Sequence, residues 1–245
     1  GIGASVGVGV FDKQTDALVG INADIDARGN GSGIPGALTG VVNGDGTFQR
    51  GEAHGVVVQA DSSESFLNIS FAGGIGAYVG LGGAIGVSII DSDTTAQVGD
   101  GTWINQRSGD WRSETVDADQ GVWVGASNRV DLQQYTFGLG GGFVGLAGAI
   151  SIGRILNDVN AKVGTDVEIS ARHAVEVNAL SDKSLGGFTM SGAGGLVGLG
   201  ASVALLSSEQ WAHDNHREIQ AYLVDAQVAD QTGQEQVAAG ARRDG

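Results

Sequence analysis

The stretch Val79-Gly-Leu-Gly-Gly-Ala-Ile-Gly-Val-Ser-Ile89 decides the fold class. Its odd positions are mostly aliphatic, whereas its even positions hold only glycine, alanine and serine. A period of two places alternate side chains on opposite faces of a β-strand, and it scatters them around a helix. Glycine also costs about 1 kcal/mol per residue in a helix. The stretch is therefore predicted to be a strand with one aliphatic face and one nearly bare face.

The same block recurs along the chain. Residues 79–84 match residues 144–149 and 197–202, and residues 3–6 match residues 200–203. Length varies at one joint in each copy, ahead of the blocks Val56-Val-Val-Gln-Ala60, Val122-Trp-Val-Gly-Ala126 and Val175-Glu-Val-Asn-Ala179. Variation confined to one joint is typical of a repeat array whose core is fixed and whose loops emerge on one side.

These patterns predict an all-β protein, a repetitive elongated β-solenoid or stacked β-sheet array of about four glycine-rich modules. We expect the following modules: 1–53, a partial first repeat with a long loop; 54–119, the second repeat with its loop; 120–172, the third repeat; and 173–245, the fourth repeat with an insertion and a polar tail.

The aliphatic residues of the repeated blocks are the predicted packing residues. They are Val79, Leu81, Ile85, Val144, Leu146, Ile150, Val197, Leu199 and Val203. The face of glycine and alanine residues indicates close packing, for which there are two explanations. Either a second sheet approaches it closely, or it forms the tight inner turn of a solenoid.

Composition excludes several classes of protein. The 245 residues include 44 glycines, one proline and no cysteine, so disulfides, thiolate zinc sites and cysteine nucleophiles are excluded. The formal charge of −15 argues against a nucleic-acid partner, because the phosphate backbone selects for positive charge. Residues 71–90, 136–153 and 185–206 are uncharged and long enough to span a bilayer as helices. Their alternation and their lack of Lys/Arg-rich flanks argue against membrane insertion.

Four recurring elements together suggest a family. They are Val-x-Val-x-Ala (175–179), the glycine-rich stretch 194–203, Thr-x-Ala-x-Val-Gly (94–99) and Val-x-Ile-x-Ala (167–171). This pattern resembles the repeats of large secreted bacterial adhesins, namely filamentous haemagglutinin and leukotoxin-like filamentous proteins. The resemblance implies a β-rich, elongated fibre outside a Gram-negative cell or on its surface. Because the pattern starts and stops mid-repeat and no signal peptide precedes it, we expect a segment of a longer protein or a subunit of a polymer.

Acidic residues in the turns and in the polar segments that follow the glycine-rich blocks are candidate metal ligands. Asp91, Asp93 and Asp45 are the candidate ligands, because calcium favours several oxygen ligands from such segments. The calcium-binding Gly-Gly-x-Gly-x-Asp repeat does not occur, and Asx turns explain the same residues without a metal. No other cofactor is expected.

The variable joints 29–53 and 108–119 are the candidate binding loops. The candidate binding residues in and around them are Trp103, Trp111, Trp123, Asp117 and Asp119, because tryptophan stacks on sugars. Paired carboxylates such as Asp117 and Asp119 also suit glycoside cleavage. Two alternatives follow, a module that binds a surface glycan or protein and a polysaccharide-cleaving enzyme on a β-helix.

The leading hypothesis is a non-enzymatic structural repeat segment of an extracellular or cell-surface bacterial filament or adhesin. Its expected partners are other copies of itself or adjacent repeats of a longer chain. Incomplete first and last repeats would leave strand edges open, and such edges can pair with neighbouring copies to build a fibre.

Overall fold

The computed structural model describes residues 1–106, 116–208, 220–223, 226–229 and 235–237, and it confirms an all-β fold. The described strands are β1 (Ile2–Val19), β2 (Asp24–Ile25), β3 (Ile34–Val42), β4 (Phe48–Ile75), β5 (Val79–Val98), β6 (Trp103–Ile104), β7 (Gln120–Gly141), β8 (Val144–Val163), β9 (Val167–Ser170), β10 (Val175–Gly194), β11 (Val197–Ser208), β12 (Gln220–Leu223), β13 (Ala226–Ala229) and β14 (Glu235–Val237).

The strands form three sheets that the chain visits in the same order in the first three coils, and the described strands of the fourth coil belong to the front and base sheets. The front sheet has the order β1-β5-β8-β11, with β12 also paired to β8. The back sheet has the order β10-β7-β4-β3, and the base sheet has the order β14-β13-β9-β6-β2. Successive coils pair in parallel and in register, so that Val79 lies beside Val144, which lies beside Val197. The chain therefore winds as a solenoid, and each repeated block lies directly against its own copies.

The two ends of each coil are built differently. At one end, which we call the base, the base sheet closes the space between the front and back sheets around an apolar core. Val98, Val124, Ile104 and Ile169 are among the fully buried residues there. At the other end, which we call the arm, the front and back sheets lie directly on each other. The arm comprises residues 2–10, 67–89, 133–154 and 186–207.

The pattern of aliphatic and small residues shifts from one face of the strand to the other where the base meets the arm. In β5 the even-numbered residues point inward along the whole strand, from Gly80 to Val98. In the base these inward residues include Ile90 and Val98, whereas in the arm they are only glycine, alanine and serine. The adjacent pair Ile89-Ile90 marks the change. An apolar cluster of Ile90, Val130, Leu132 and Ile155 fills the interior at this level.

Near the tip of the arm, the backbones of the two sheets touch. A methyl group on Gly82 would overlap the carbonyl oxygen of Leu139, and one on Gly138 would overlap the carbonyl oxygen of Gly148. Sheets that pack through ordinary side chains lie about 10 Å apart. The bare faces therefore allow an unusually close approach, and the second sheet that approaches is the other wall of the same solenoid.

Farther from the tip, the interior of the arm is polar. The Asn68 amide donates to the Ser88 hydroxyl at 2.9 Å and to the Val87 carbonyl at 3.2 Å. Gln134 and Thr136 are fully buried, and neither the Gln134 amide atoms nor the Thr136 hydroxyl has a hydrogen-bond partner among the described residues. Apart from Leu206 of the last described front strand, which lies against Gly153 and Gly187, the arm is polar or bare inside.

The nine predicted packing residues do not lie in the core. All of them lie on the outer surface of the arm in the front sheet, and Leu199, for example, is 65% exposed. The physical reason is the close approach of the two backbones, which leaves no room for aliphatic side chains between the sheets of the arm. The sequence identified the two faces of the strand but not which of them turns inward.

The joint 29–53, expected to be a long loop, contains a β-hairpin. Strand β3 pairs antiparallel with the first part of β4. The hairpin folds over the outer face of the rest of the back sheet, where the Asn178 amide of β10 donates to the Leu38 carbonyl at 3.3 Å. The Gln59 side chain accepts a hydrogen bond from the Leu38 amide at 3.0 Å and donates one to the Gly36 carbonyl at 3.0 Å. The hairpin therefore covers the base on one side, where Ala37, Ala53 and Trp123 pack together.

Candidate functional site

The front face of the arm is an apolar surface with a groove across it. Two ridges of large side chains run across the strands, and a row of small residues lies between them. The first ridge is Ile2, Leu81, Leu146 and Leu199; the second is Val6, Ile85, Ile150 and Val203; the small residues are Ala4, Gly83, Gly148 and Ala201. The groove along the small row has a volume of about 480 Å³.

The back face of the arm is also apolar but contains aromatic residues. Its outward side chains include Ile69, Phe71, Phe137, Phe188 and Met190. The rings of Phe137 and Phe188 lie 6.1 Å apart, centre to centre. Arg154 is the one charged side chain within the arm. Both faces of the arm therefore expose apolar surface, and surface of this kind marks interaction sites in soluble proteins.

A second candidate is a polar cleft at the base, beside the hairpin. It has a volume of about 380 Å³, and its titratable lining residues are Glu52, His54, Asp119, His173 and Glu176. The His54 Nε2 atom lies 3.6 Å from the Glu52 carboxylate, and its Nδ1 atom lies 3.2 Å from the Gly29 carbonyl oxygen. Two imidazoles and three carboxylates could bind a cationic or hydroxyl-rich ligand.

The structure brings only part of the predicted binding set to this cleft. Trp123 and Asp119 line it, whereas Trp103 lies on the base sheet and Trp111 lies outside the described residues. Trp123 is only 9% exposed, because it packs beneath the hairpin. It offers no open ring face on which a sugar could stack.

Asp117 and Asp119 form a turn at the edge of this cleft. The Asp117 carboxylate accepts a hydrogen bond from the Asp119 amide at 2.8 Å, and the Asp117 amide donates to the Arg28 carbonyl at 3.0 Å. This is the local arrangement of an Asx turn. Paired carboxylates of a glycosidase instead face each other across a substrate.

The three candidate calcium ligands do not share one site. Asp91 and Asp93 lie on the outer face of the front sheet, beside Asp12 and Asp158 of the neighbouring strands. Asp45 lies in the turn of the hairpin over the back sheet, where Thr47 donates to its carboxylate. In the described part of the chain, no three histidine or acidic side chains come together in a way that could hold a metal ion.

Two carboxyl groups near the hairpin have shifted pKa values. Burial opposes ionisation of Asp61, but hydrogen bonds from Arg50, Ser127 and Gln59 outweigh it and hold the pKa of Asp61 below its ordinary value. Hydrogen bonds from the Thr47 hydroxyl and amide lower the pKa of Asp45. Both carboxylates therefore stabilise the hairpin in their ionised form.

Other residues of these surfaces were not predicted as site residues. His54 and His173 occupy matching positions just before two of the Val-x-Val blocks, and a polar residue repeated at a turn indicates hydrogen bonding within the turn rather than a site. The aromatic back face could have been found, because Phe71, Phe137 and Met190 occupy the same position in three coils.

Comparison of the chain with protein-family models, with curated proteins and with solved structures gives no match. The resemblance to filamentous adhesins therefore stays a prediction. Among the described residues, no helix is long and apolar enough to cross a lipid bilayer.

Proposed function

We propose that the chain is a non-enzymatic structural segment of an extracellular or cell-surface bacterial filament, and that its coils assemble end to end with other copies or with adjacent repeats. The observation that carries this proposal is the stacking of the coils. Equivalent residues of successive coils pair in parallel, without a register shift, along the front sheet from β1 through β5 to β8.

Both ends of the described stack of coils have open strand edges, and these edges could make the same parallel pairing that joins the coils within the stack. Strand β1 pairs only with β5, and β10 pairs only with β7, within the described residues. An unpaired edge of a long, regular parallel sheet is a template for another strand. A further coil, from the same chain or from another copy, would continue the pairing that each internal coil already makes.

The hydrogen bonds of β1 define a variant that blocks this edge. The Leu81 amide donates to the Gly1 carbonyl at 2.8 Å, and the Gly99 amide donates to the Val19 carbonyl at 2.9 Å. Because every second residue of a parallel strand faces a given neighbour, odd-numbered residues of β1 face β5 and even-numbered ones face the open edge. Gln14→Pro would therefore remove an outward N–H group and leave the β1–β5 ladder intact.

We expect the purified chain to form fibres with a repeat of about 4.8 Å along the axis, the strand spacing of a sheet. Gln14→Pro should abolish or shorten them, and Gln14→Ala, which keeps the N–H group, should not. Electron microscopy and fibre diffraction measure the assembly, and circular dichroism checks that each variant is folded. Absence of fibres from the unmodified chain at high concentration would overturn the proposal, as would fibres unaffected by the proline.

A second candidate function is recognition of a glycan or protein at the polar cleft. It is favoured by the grouping of His54, His173, Glu52 and Glu176 around one cavity next to the hairpin. Glycan-array binding that is lost in Glu176→Gln, and retained in a matched variant outside the cleft such as Glu168→Gln, would support it. The polysaccharide-cleaving alternative requires product release that depends on Asp117, tested with Asp117→Asn.

A further inference from the structure

The front face of the arm approaches the size of a specific interface. Rows 79–87 span about 26 Å along the strands, and four strands span about 19 Å across them, which gives roughly 500 Å² per copy. Two such surfaces would bury about 1,000 Å², the area at which a specific interface needs good shape complementarity. This face exposes Val8, Ile150 and Leu199, and its outward rows from Ile2 to Val8 contain no charged side chain in any of the four strands.

Two adjacent rows of this face are complementary in shape. The ridge of residue 81 and the small row of residue 83 are neighbours, and each crosses all four strands. A two-fold axis that lies in the interface between these rows would place the ridge of residue 81 of each copy in the groove of the other, and the valine row of residue 79 of each copy against the ridge of residue 85 of the other. Two-fold contacts of this kind use the same patch on both subunits.

We propose that a second copy of this chain covers the front face of the arm in such a two-fold contact, with the two arms pointing in opposite directions. In this arrangement the tip of one copy, near Ala77, ends opposite Val87 of its partner. The row of carboxylates that begins with Asp12 and Asp91 then lies beyond the tip of the other copy and remains in water. The contact therefore buries aliphatic side chains without burying these charges.

A lipid bilayer is the less favourable occupant. Within the described residues, β1 and β11 form the edges of the front sheet and leave backbone N–H and C=O groups without strand partners. Hydrocarbon does not accommodate open sheet edges, because no water is present to satisfy those groups. In a dimer formed in water the same edges stay solvated, or they pair with a further coil.

The glycines of the groove provide the decisive variants. A methyl group on Gly83 would meet nothing within 4 Å, and one on Gly148 would meet only the Ala201 carbonyl oxygen at 4.0 Å. Gly83→Leu combined with Gly148→Leu should therefore fill the groove without disturbing the fold. The matched control is Gly73→Leu, which adds the same side chain to the outer back face, where its Cβ would lie 3.8 Å from the Phe71 ring.

The experiment is sedimentation velocity over a concentration series, with every variant in the Gln14→Pro background so that end-to-end assembly does not interfere. We expect a monomer–dimer equilibrium whose dissociation constant rises at least tenfold in the groove-filled variant and stays unchanged in Gly73→Leu.

Three results would overturn the proposal: a monomer at all concentrations, equal dimerisation of the groove-filled variant, or flotation with phosphatidylcholine vesicles that filling the groove abolishes. The last result would make lipid the occupant. The proposed function fails separately, because it depends on fibres formed by the chain with an unmodified edge.

Discussion

The base and the arm are built from the same strands but have opposite interiors. In the base, Val98, Val124 and Ile169 are buried between three sheets, and the carboxylates of Asp91 and Asp93 lie on the outer face, as in most soluble proteins. In the arm, the inward positions of the same strands are glycine, alanine, serine and other polar residues, and the aliphatic residues face outward. The comparison shows that an alternating pattern specifies two faces of a strand without specifying which face is inside.

The largest expected effect comes from the bare interior of the arm. Gly82→Val should reduce the free energy of unfolding by about 4 kcal/mol or more, because its side chain would overlap the Leu139 backbone and force the two sheets apart. Gly83→Val, on the outer face of the same strand, should be neutral or slightly stabilising. Chemical denaturation followed by circular dichroism measures both. Equal losses in the two variants would contradict the close-packed arm.

The second prediction compares the stability that is lost when one isoleucine of the base and one of the arm are truncated to alanine. Ile104→Ala in the base should cost about 3 kcal/mol, because Ile104 is fully buried. Ile150→Ala in the arm should cost about 0.5 kcal/mol or less, because its side chain is on the surface. Denaturation at concentrations below any self-association gives both values. A similar cost at both sites would mean that the outer face of the arm is packed in the isolated chain.

A smaller effect of opposite sign is expected from the polar interior of the arm. Gln134→Met should raise the free energy of unfolding by about 1–2 kcal/mol, because it replaces a buried amide without partners by an apolar chain of similar length. Asn128→Met is the control, since the Asn128 amide donates to Ser92 at 2.7 Å and its loss should destabilise. Destabilisation by Gln134→Met would instead indicate that ordered water binds the amide.

The smallest effect concerns the hairpin that covers the base. Because folding lowers the pKa of Asp61, its carboxylate contributes stability above the unfolded pKa of about 3.9. That contribution is lost as the pH falls through the lower, folded pKa. Asp61→Asn should therefore cost about 1 kcal/mol at neutral pH and progressively less below pH 4. The hydrogen-exchange protection factor of the Leu38 amide, which donates to Gln59, would report the loosening. A protection factor in the unmodified chain that does not fall with the pH would contradict the prediction.

The strand character, the repeat spacing and the all-β fold followed from the sequence, because period-two alternation and recurring blocks are local properties. Which face of the arm strands turns inward could not be predicted from the sequence in the same way. It depends on Ile89-Ile90 and Phe66-Leu67, the points where apolar residues change from one face to the other. Applied to residues 79–98 as a whole, the alternation would have placed Ile90 and Val98 inside and Val79 and Leu81 outside.

The candidate cleft was predictable only in part. Asp119 and Trp123 were selected because they flank a variable joint, and both line the cleft. Glu52 and Glu176 were not selected, because they are 124 positions apart in sequence and meet only through the stacking of coils. The hairpin that forms one wall was not predicted either, since β3 contains Pro35, Gly36 and Gly40, which are rare in strands, and its pairing with β4 is irregular.

The touching backbones of the arm have a thermodynamic consequence. Closing the arm removes little apolar surface from water, and exposure of such surface is the source of the heat-capacity increase on unfolding. The arm should therefore contribute less to that increase than the base does for the same number of residues. Its stability then changes little on cooling, while the base follows the curved temperature dependence of an ordinary hydrophobic core.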